Sequence, residues 1–221
     1  MKIFLDTANV EAVRRLVATG CVHGITTNPT HLSKEGGNPL AIVKELCAIL
    51  QPHGEVCVQV TERDPKAMGE QAKRIAGLAE NVVVKIPCVP QFFPIIDALT
   101  TDEIPVNITL VFSIAQALAV ADLGVAMVSP FLGRLDDSGA SGIAVLENIV
   151  EIFETYAYET EVLAASIRSV DQMEKAALVG ADIVTLSPQL FEQALQHPLS
   201  EKGLMQFAAD WEKIGVRQFP S

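Results

Sequence analysis

Val82-Val83-Val84-Lys85-Ile86-Pro87 is apolar except for a single lysine, and half of it is β-branched valine. A run this short and this apolar reads as a core strand buried on both faces, the kind found in parallel sheets covered by helices. Outward from it, the chain repeats the pattern. Apolar strands are expected at Lys2–Asp6 and at 24–27, 55–60, 82–86, 105–111, 125–131, 161–167 and 182–186. Between them, helical periodicity predicts a helix from about residue 10 and others over 39–51, 64–79, 91–99, 113–122, 142–156, 170–179 and 188–196. A polar loop containing 34–38 and a long glycine-bearing loop at 132–141 break the alternation, and an extra helix at about 201–214 follows it.

Eight strand–helix units in constant alternation predict a parallel sheet with both faces covered. Units of this size favour closure into a (β/α)8 TIM barrel, an α/β fold, over an open doubly wound sheet. No linker or low-complexity segment divides the 221 residues, so one domain spanning 1–221 is expected. Composition agrees: 49% of residues are hydrophobic but only 5% aromatic, which leaves Ala, Val, Ile and Leu to build the buried strands.

Charge narrows the function. Sixteen Lys and Arg against 27 Asp and Glu give a net charge of −11 with no basic stripe, which argues against a nucleic-acid partner. An anionic substrate must therefore find local positive charge inside a site, against the overall field. Asp6 interrupts the first apolar stretch, so no secretory pattern is present, and no apolar run is long enough to span a bilayer. Cys21, Cys47, Cys57 and Cys88 form no CxxC pair, and no histidine stands at zinc-like spacing from them. A reduced, cytoplasmic protein with no membrane association is the expectation. His23, His31, His53 and His197 all lie away from the ends of strands three to eight, where a metal-dependent barrel enzyme carries its ligands, so no catalytic metal is expected. Dinucleotide-binding, P-loop and serine-nucleophile motifs are missing as well.

Active sites of such barrels form at the C-terminal ends of the strands. Those ends carry Asp6, the run Thr26-Thr27-Asn28-Pro29, Gln59, Lys85, Asn107 with Thr109, Ser129 with Phe131 and nearby Arg134, Ser166 with Arg168, and Thr185 with Ser187. A lysine pointing inward from so apolar a strand loses hydration, which favours the neutral amine, the nucleophile that a Schiff base with a ketone requires. The plainer alternative is a lysine that snorkels to water. Asp6 is either a helix cap within Asp6-Thr7-Ala8-Asn9 or a carboxylate able to move protons during carbon–carbon cleavage. Gln59, Asn107 and Thr109 offer hydrogen bonds alone, to a water, to substrate hydroxyls or within the core. Arg134, Ser166 and Arg168 suit a phosphate, and Arg168 also precedes a helix N-terminus, unless surface salt bridges hold the arginines.

Six segments now carry a resemblance: FLDTANV at 4–10, GITTNPT at 24–30, VVVKIP at 82–87, VNITLVFS at 106–113, SPFLGRLDD at 129–137 and LAASIRS at 163–169. Over essentially the whole chain they resemble the transaldolase family, particularly its short bacterial subfamily, which includes fructose-6-phosphate aldolases. The resemblance implies a class I aldolase barrel with no metal or organic cofactor. It would move a dihydroxyacetone unit from a ketose phosphate, such as sedoheptulose 7-phosphate or fructose 6-phosphate, to an aldose phosphate in the non-oxidative pentose phosphate pathway. It implies Lys85 as the Schiff-base lysine and Asp6 as the proton-transfer carboxylate. Thr109 and Gln59 would position a catalytic water, Asn28, Asn107 and Ser129 would hold sugar hydroxyls, and Arg134, Ser166 and Arg168 the phosphate. Asn107, Ser129 and Phe131 are similar to transaldolases, since the aldolase group lacks this Asn and has Tyr at the Phe131 position. Gln59 departs the other way: transaldolases carry Glu there and the aldolase group Gln. A lyase releasing free dihydroxyacetone and a non-catalytic sugar-phosphate-binding barrel stay open as alternatives. The subfamily's rings imply a homo-oligomer, a pentamer or decamer, whose C-terminal helix, with Leu204, Phe207 and Trp211 at helical spacing, reaches a neighbour rather than packing on its own barrel.

Overall fold

The computed structural model describes residues 1–215. Eight parallel strands pair in chain order and close, with the eighth against the first: β1 (Lys2–Asp6), β2 (Gly24–Thr26), β3 (Glu55–Gln59), β4 (Val82–Pro87), β5 (Val106–Val111), β6 (Met127–Pro130), β7 (Glu161–Ala164) and β8 (Ile183–Leu186). Around them run α1 (Val10–Val17), α2 (Pro29–Glu35), α3 (Pro39–Leu50), α4 (Pro65–Ala76), α5 (Phe93–Thr101), α6 (Ile114–Ala121), α7 (Leu132–Asp137), α8 (Gly142–Tyr156), α9 (Val170–Leu178), α10 (Pro188–Leu195) and α11 (Pro198–Ile214). The expected (β/α)8 barrel with an extra C-terminal helix is the fold found.

The two expected loops need correction. Residues 29–35 form α2, which Asn28 caps by accepting from the His31 amide at 3.0 Å, with Pro29 opening the first turn and Gly36 ending it at φ +68°. No residue of α2 is buried, so it lacks the apolar stripe that periodicity detects. Leu132–Asp137 is α7, a short helix held by the burial of Leu132, Gly133 and Leu135 rather than by a side-chain cap. The last helix also begins earlier than expected, at Pro198, where the His197 side chain accepts from the Leu199 amide. Several strands end sooner than their apolar runs, because the chain turns away into the loops above the barrel.

Alternation along each strand sorts the side chains into two cores. Outward residues, among them Leu5, Ile25, Val84, Ile86 and Ile108, pack under the helices. Inward residues form a smaller cluster of Phe4, Cys57, Val83, Met127, Leu163 and Ile183 that plugs the barrel. The Phe4 ring fills the axis because Gly24 faces it; a Cβ on Gly24 would stand 2.5 Å from that ring. Two residues further along, the same inward positions become Asp6, Thr26, Gln59, Lys85, Thr109, Ser129 and Thr185. The apolar plug is thus the floor on which a polar layer stands. Among the described residues, no helix is long and apolar enough to cross a membrane.

Candidate active site

That polar layer lines a cavity of about 460 Å3 at the C-terminal end of the barrel. Asp6, Asn28, Gln59, Lys85, Thr109, Ser129, Phe131, Arg134, Ser166 and Arg168 all reach it. Asn107, expected among them, does not line it. It is fully buried below Ser129, whose hydroxyl donates to Asn107 Oδ1 at 2.7 Å, while Asn107 Nδ2 donates to Cys57 Sγ at 3.3 Å.

Lys85 is 4% exposed, so it does not snorkel. Its Nζ donates to the Thr27 carbonyl oxygen at 3.1 Å, and among the described residues no carboxylate lies within ion-pair distance of it. Burial pulls the amine below its ordinary pKa of 10.5, with Arg134 acting in the same sense and Asp6 and Cys57 opposing.

Asp6 is not a helix cap; Asn9 caps α1, its Oδ1 accepting from the Ala12 amide at 2.8 Å. Instead Asp6 Oδ1 accepts from Thr26 Oγ1 at 2.9 Å. With its hydroxyl hydrogen directed at Asp6, Thr26 accepts in turn from Thr185 Oγ1 at 2.7 Å. The carboxylate is therefore aimed by a chain of hydroxyls anchored in β2 and β8. His31 Nδ1 stands 3.6 Å from Asp6 Oδ1. Thr26 and Thr185 were readable as strand-end polar groups, but nothing distinguished them from their neighbours. His31 escapes a reading of the sequence because α2 buries no residue and so carries no apolar stripe to mark it as a helix.

Thr109 Oγ1 is buried with no hydrogen-bond partner among the described residues. Such a group costs about 1–3 kcal/mol when left dry, so it is poised for something in the cavity to satisfy it. It sits beside Leu110, at φ +59°, where the β5–β6 register shifts.

Also lining the cavity, Arg134 stacks over the Phe131 ring, 5.0 Å from its centroid, and Phe112 meets the same ring edge-on at 5.9 Å. Among the described residues no carboxylate pairs with Arg134. Arg168 does have one: its guanidinium donates to Asp137 at 2.9 Å, and its amide donates to Gln172 Oε1 at 2.8 Å. The salt-bridge alternative thus holds for Arg168 and fails for Arg134. Ser166 adopts φ +60°, and the backbone of α7 comes close beneath it. Gly133 makes that approach feasible; its N–H donates to the Ser166 carbonyl at 3.0 Å, and a Cβ there would stand 2.3 Å from the same oxygen. Among the described residues, no group of three or more His, Cys, Asp or Glu side chains converges as metal ligands would.

A desolvated lysine and an aimed carboxylate thus share the mouth of a parallel (β/α)8 barrel with a guanidinium that has no carboxylate partner among the described residues. The chain belongs to the transaldolase/fructose-6-phosphate aldolase family: the sequence model described as "Transaldolase/Fructose-6-phosphate aldolase" matches residues 3–217. A "Probable transaldolase" of Phenylobacterium zucineum is 44% identical over 97% of this chain and 98% of its own length. Proteins of the same description from Dehalococcoides mccartyi and Nitrosopumilus maritimus are each 45% identical over 97% of this chain, and over 99% and 96% of their own lengths. Among solved structures, a mandelate oxidase variant superposes with a TM-score of 0.58 at 16% identity, covering 84% of this chain and 64% of that one. A flavocytochrome b2 variant does so with a TM-score of 0.61 at 17% identity, covering 87% and 58%. At those identities the structural likeness speaks for the barrel alone.

Proposed function

We propose that this protein is a metal-independent, Schiff-base transaldolase that transfers a dihydroxyacetone unit between sugar phosphates in the non-oxidative pentose phosphate pathway. The observation that carries the reading is the Lys85 amine, buried in the cavity, lowered in pKa and free of a carboxylate partner among the described residues. In this reading its lone pair attacks the ketose carbonyl carbon, and loss of water leaves an iminium ion. Asp6 then takes the proton of the adjacent hydroxyl. The O–H pair becomes the new carbonyl bond, the carbon–carbon bond breaks, and its electrons move to the iminium nitrogen to give an enamine. That nitrogen is the electron sink, so no cofactor is required. The enamine attacks the acceptor aldehyde, and the steps reverse.

Thr109, with its unsatisfied hydroxyl, and Gln59 hold the water of Schiff-base formation and hydrolysis. Asn28 and Ser129 hold sugar hydroxyls, with Asn107 acting through Ser129. Arg134, Ser166 and Arg168 hold the phosphate, and Phe131 packs Arg134 into place. The relatives' descriptions and the Asn107, Ser129 and Phe131 positions support transfer over release. Gln59, unable to exchange protons with water as a Glu would, supports the second reading, a lyase that liberates dihydroxyacetone. Dihydroxyacetone release from fructose 6-phosphate is expected to be slight and to be outrun by transfer once erythrose 4-phosphate is added. Release that the acceptor leaves unchanged overturns the transferase reading. Borohydride in the presence of substrate is expected to leave an adduct on Lys85, found by mass spectrometry; its absence would mean that the barrel binds sugar phosphate without catalysis.

The helix α11 buries no residue, and it leaves Leu204, Met205 and Phe207 more than two-thirds exposed. This supports a homo-oligomer over a helix packed on its own barrel, and light scattering in solution is expected to give a mass several times 23.7 kDa, with a monomer overturning it.

A further inference from the structure

Asp6 and His31 stand in a wall between two cavities. On one side is the cavity that holds Lys85. On the other is a polar pocket of about 430 Å3, lined among others by Asn9, Arg15, Lys34, Glu35 and Glu192. Asp6, His31 and Ser187 line both.

Asn28 holds His31 in place from its backbone and from its ring. The Asn28 side-chain oxygen accepts from the His31 amide at 3.0 Å, which turns its NH2 toward the ring, 3.2 Å from Nδ1 and 3.5 Å from Nε2. An NH2 at such similar distances from both ring nitrogens lies over the ring face, so it occupies neither in-plane lone pair and does not fix the tautomer. Nδ1 faces the Asp6 carboxylate oxygen at 3.6 Å, beyond a formed hydrogen bond. That arrangement is idle while Asp6 is a carboxylate. Once Asp6 is a carboxylic acid, Nδ1 of a ring protonated on Nε2 is an acceptor less than about 1 Å beyond ordinary hydrogen-bond reach.

We infer that His31 is a positioning residue that relays the proton collected by Asp6 across this wall to the outer pocket and returns it. The inference rests on the reading of Asp6 as the cleavage base. The step balances without a further reagent. The Asp6 O–H bond breaks with its electron pair left on oxygen, the Nδ1 lone pair forms the new N–H bond, and the Nε2 proton passes to water in the outer pocket. The reverse sequence re-protonates Asp6 when the new carbon–carbon bond needs a proton on the former aldehyde oxygen. While the enamine waits for its acceptor, the proton is kept off Asp6 and away from the carbanion-like carbon.

The charges facing His31 are Asp6 from β1, Lys85 from β4, and Lys34 and Glu35 from α2. Burial acts most strongly and, with Lys85 and Lys34, draws the imidazole below its ordinary pKa of 6.5 against the pull of Asp6 and Glu35. The ring is neutral at neutral pH, as an acceptor must be, and the relay fails as pH falls and the ring becomes charged.

The test compares His31→Gln and His31→Ala with the whole wild-type protein over about pH 5 to pH 9. The α2 cap uses the backbone of residue 31, so both variants keep it. The expected result is a kcat lower by about tenfold or more in each variant with KM little changed. The acidic limb that the wild type shows below about pH 6.5 is lost. Added imidazole restores part of the kcat of His31→Ala, through the space opened to the outer pocket, and none to His31→Gln. Should His31→Ala prove unstable, His31→Gln decides, since Gln fills the space and donates hydrogen bonds but cannot take up and release a proton. Wild-type kcat and an unchanged acidic limb in His31→Gln, with Lys85 still trapped by borohydride, overturn the relay alone. Failure of the wild type to trap at all overturns the parent reading and the relay with it.

Discussion

Lys2 and Lys85 sit at opposite ends of the same barrel, and their surroundings drive their ionisation in opposite directions. Lys2 opens β1, half in water, with Glu161 at 2.9 Å and Glu55 at 3.8 Å. Burial works against its charge, but Glu161, Glu55 and Asp182 together outweigh it and hold its pKa above 10.5. Among the described residues Lys85 has only a backbone carbonyl and the pull of Asp6 and Cys57, and burial wins. One side chain thus serves two ends. At the N-terminal end a cation is matched to carboxylates, which supports the closed sheet. At the C-terminal end an amine is held without a carboxylate partner among the described residues, which costs stability and favours its neutral form. The lesson is that exposure alone does not set the state of a strand-end lysine; the balance of desolvation against nearby carboxylates does.

The sharpest way to break this comparison is Lys85→Met, with the largest effect expected. Activity and borohydride trapping should disappear, while the fold becomes more stable at neutral pH because an unpaired amine is replaced by an apolar side chain of similar length. The sign follows from linkage. The folded state binds the Lys85 proton less tightly than the unfolded chain, so its contribution to stability is complete above pH 10.5 and is lost as pH falls through the lowered folded value. Thermal melts should therefore show the variant's advantage at about pH 7 shrinking toward pH 10. A variant that melts below the wild type at neutral pH would mean that the amine is not held dry.

A middle-sized effect separates the two arginines of the same cavity. Arg134 is free of carboxylates among the described residues, whereas Arg168 already serves Asp137. Charge-assisted hydrogen bonds are worth roughly 1.5–3 kcal/mol, so Arg134→Gln should raise KM for phosphorylated substrates by roughly 10- to 100-fold. Arg168→Gln should raise it less, since part of its charge is already neutralised. Steady-state kinetics on both variants decide the order; the reverse ranking would put the phosphate on the Arg168 side.

These contrasts mark how far the amino-acid sequence could be read. Strand periodicity exposed the barrel because each strand is apolar on both faces, and strand ends exposed Asp6, Gln59, Lys85, Thr109 and Ser129 because polar groups closed otherwise apolar runs. Burial of Lys85 and the freedom of Arg134 were not legible, since both depend on which carboxylates the closed ring brings near. Asn107 looked equivalent to Thr109, two residues on along β5, but it points into the layer below, where Cys57 and Ser129 occupy its hydrogen bonds. Helix α2 escaped because its stability lies in a cap and a proline, without an apolar face, and His31 was hidden with it.

The smallest effect belongs to the other end of the barrel. Glu161→Gln removes the closest partner of Lys2 and touches nothing in the cavity, so kcat should be unchanged. Exposed and half-exposed ion pairs contribute up to about 1 kcal/mol, which for a chain of this size is a fall in Tm of roughly 2–4 °C. The loss is softened because Glu55, whose pKa burial raises and Glu161 raises further, gains from the removal of that like charge. Because the Lys2 pKa is raised in the folded state, its contribution is fully present below pH 10.5 and vanishes as pH climbs through the folded value, opposite in sign to Lys85. The gap between wild type and Glu161→Gln should therefore close in strong alkali and narrow with added salt. A gap that persists in both would mean that Glu161 supports the sheet by packing or by another hydrogen bond, and the charge-matched end of the comparison would fall.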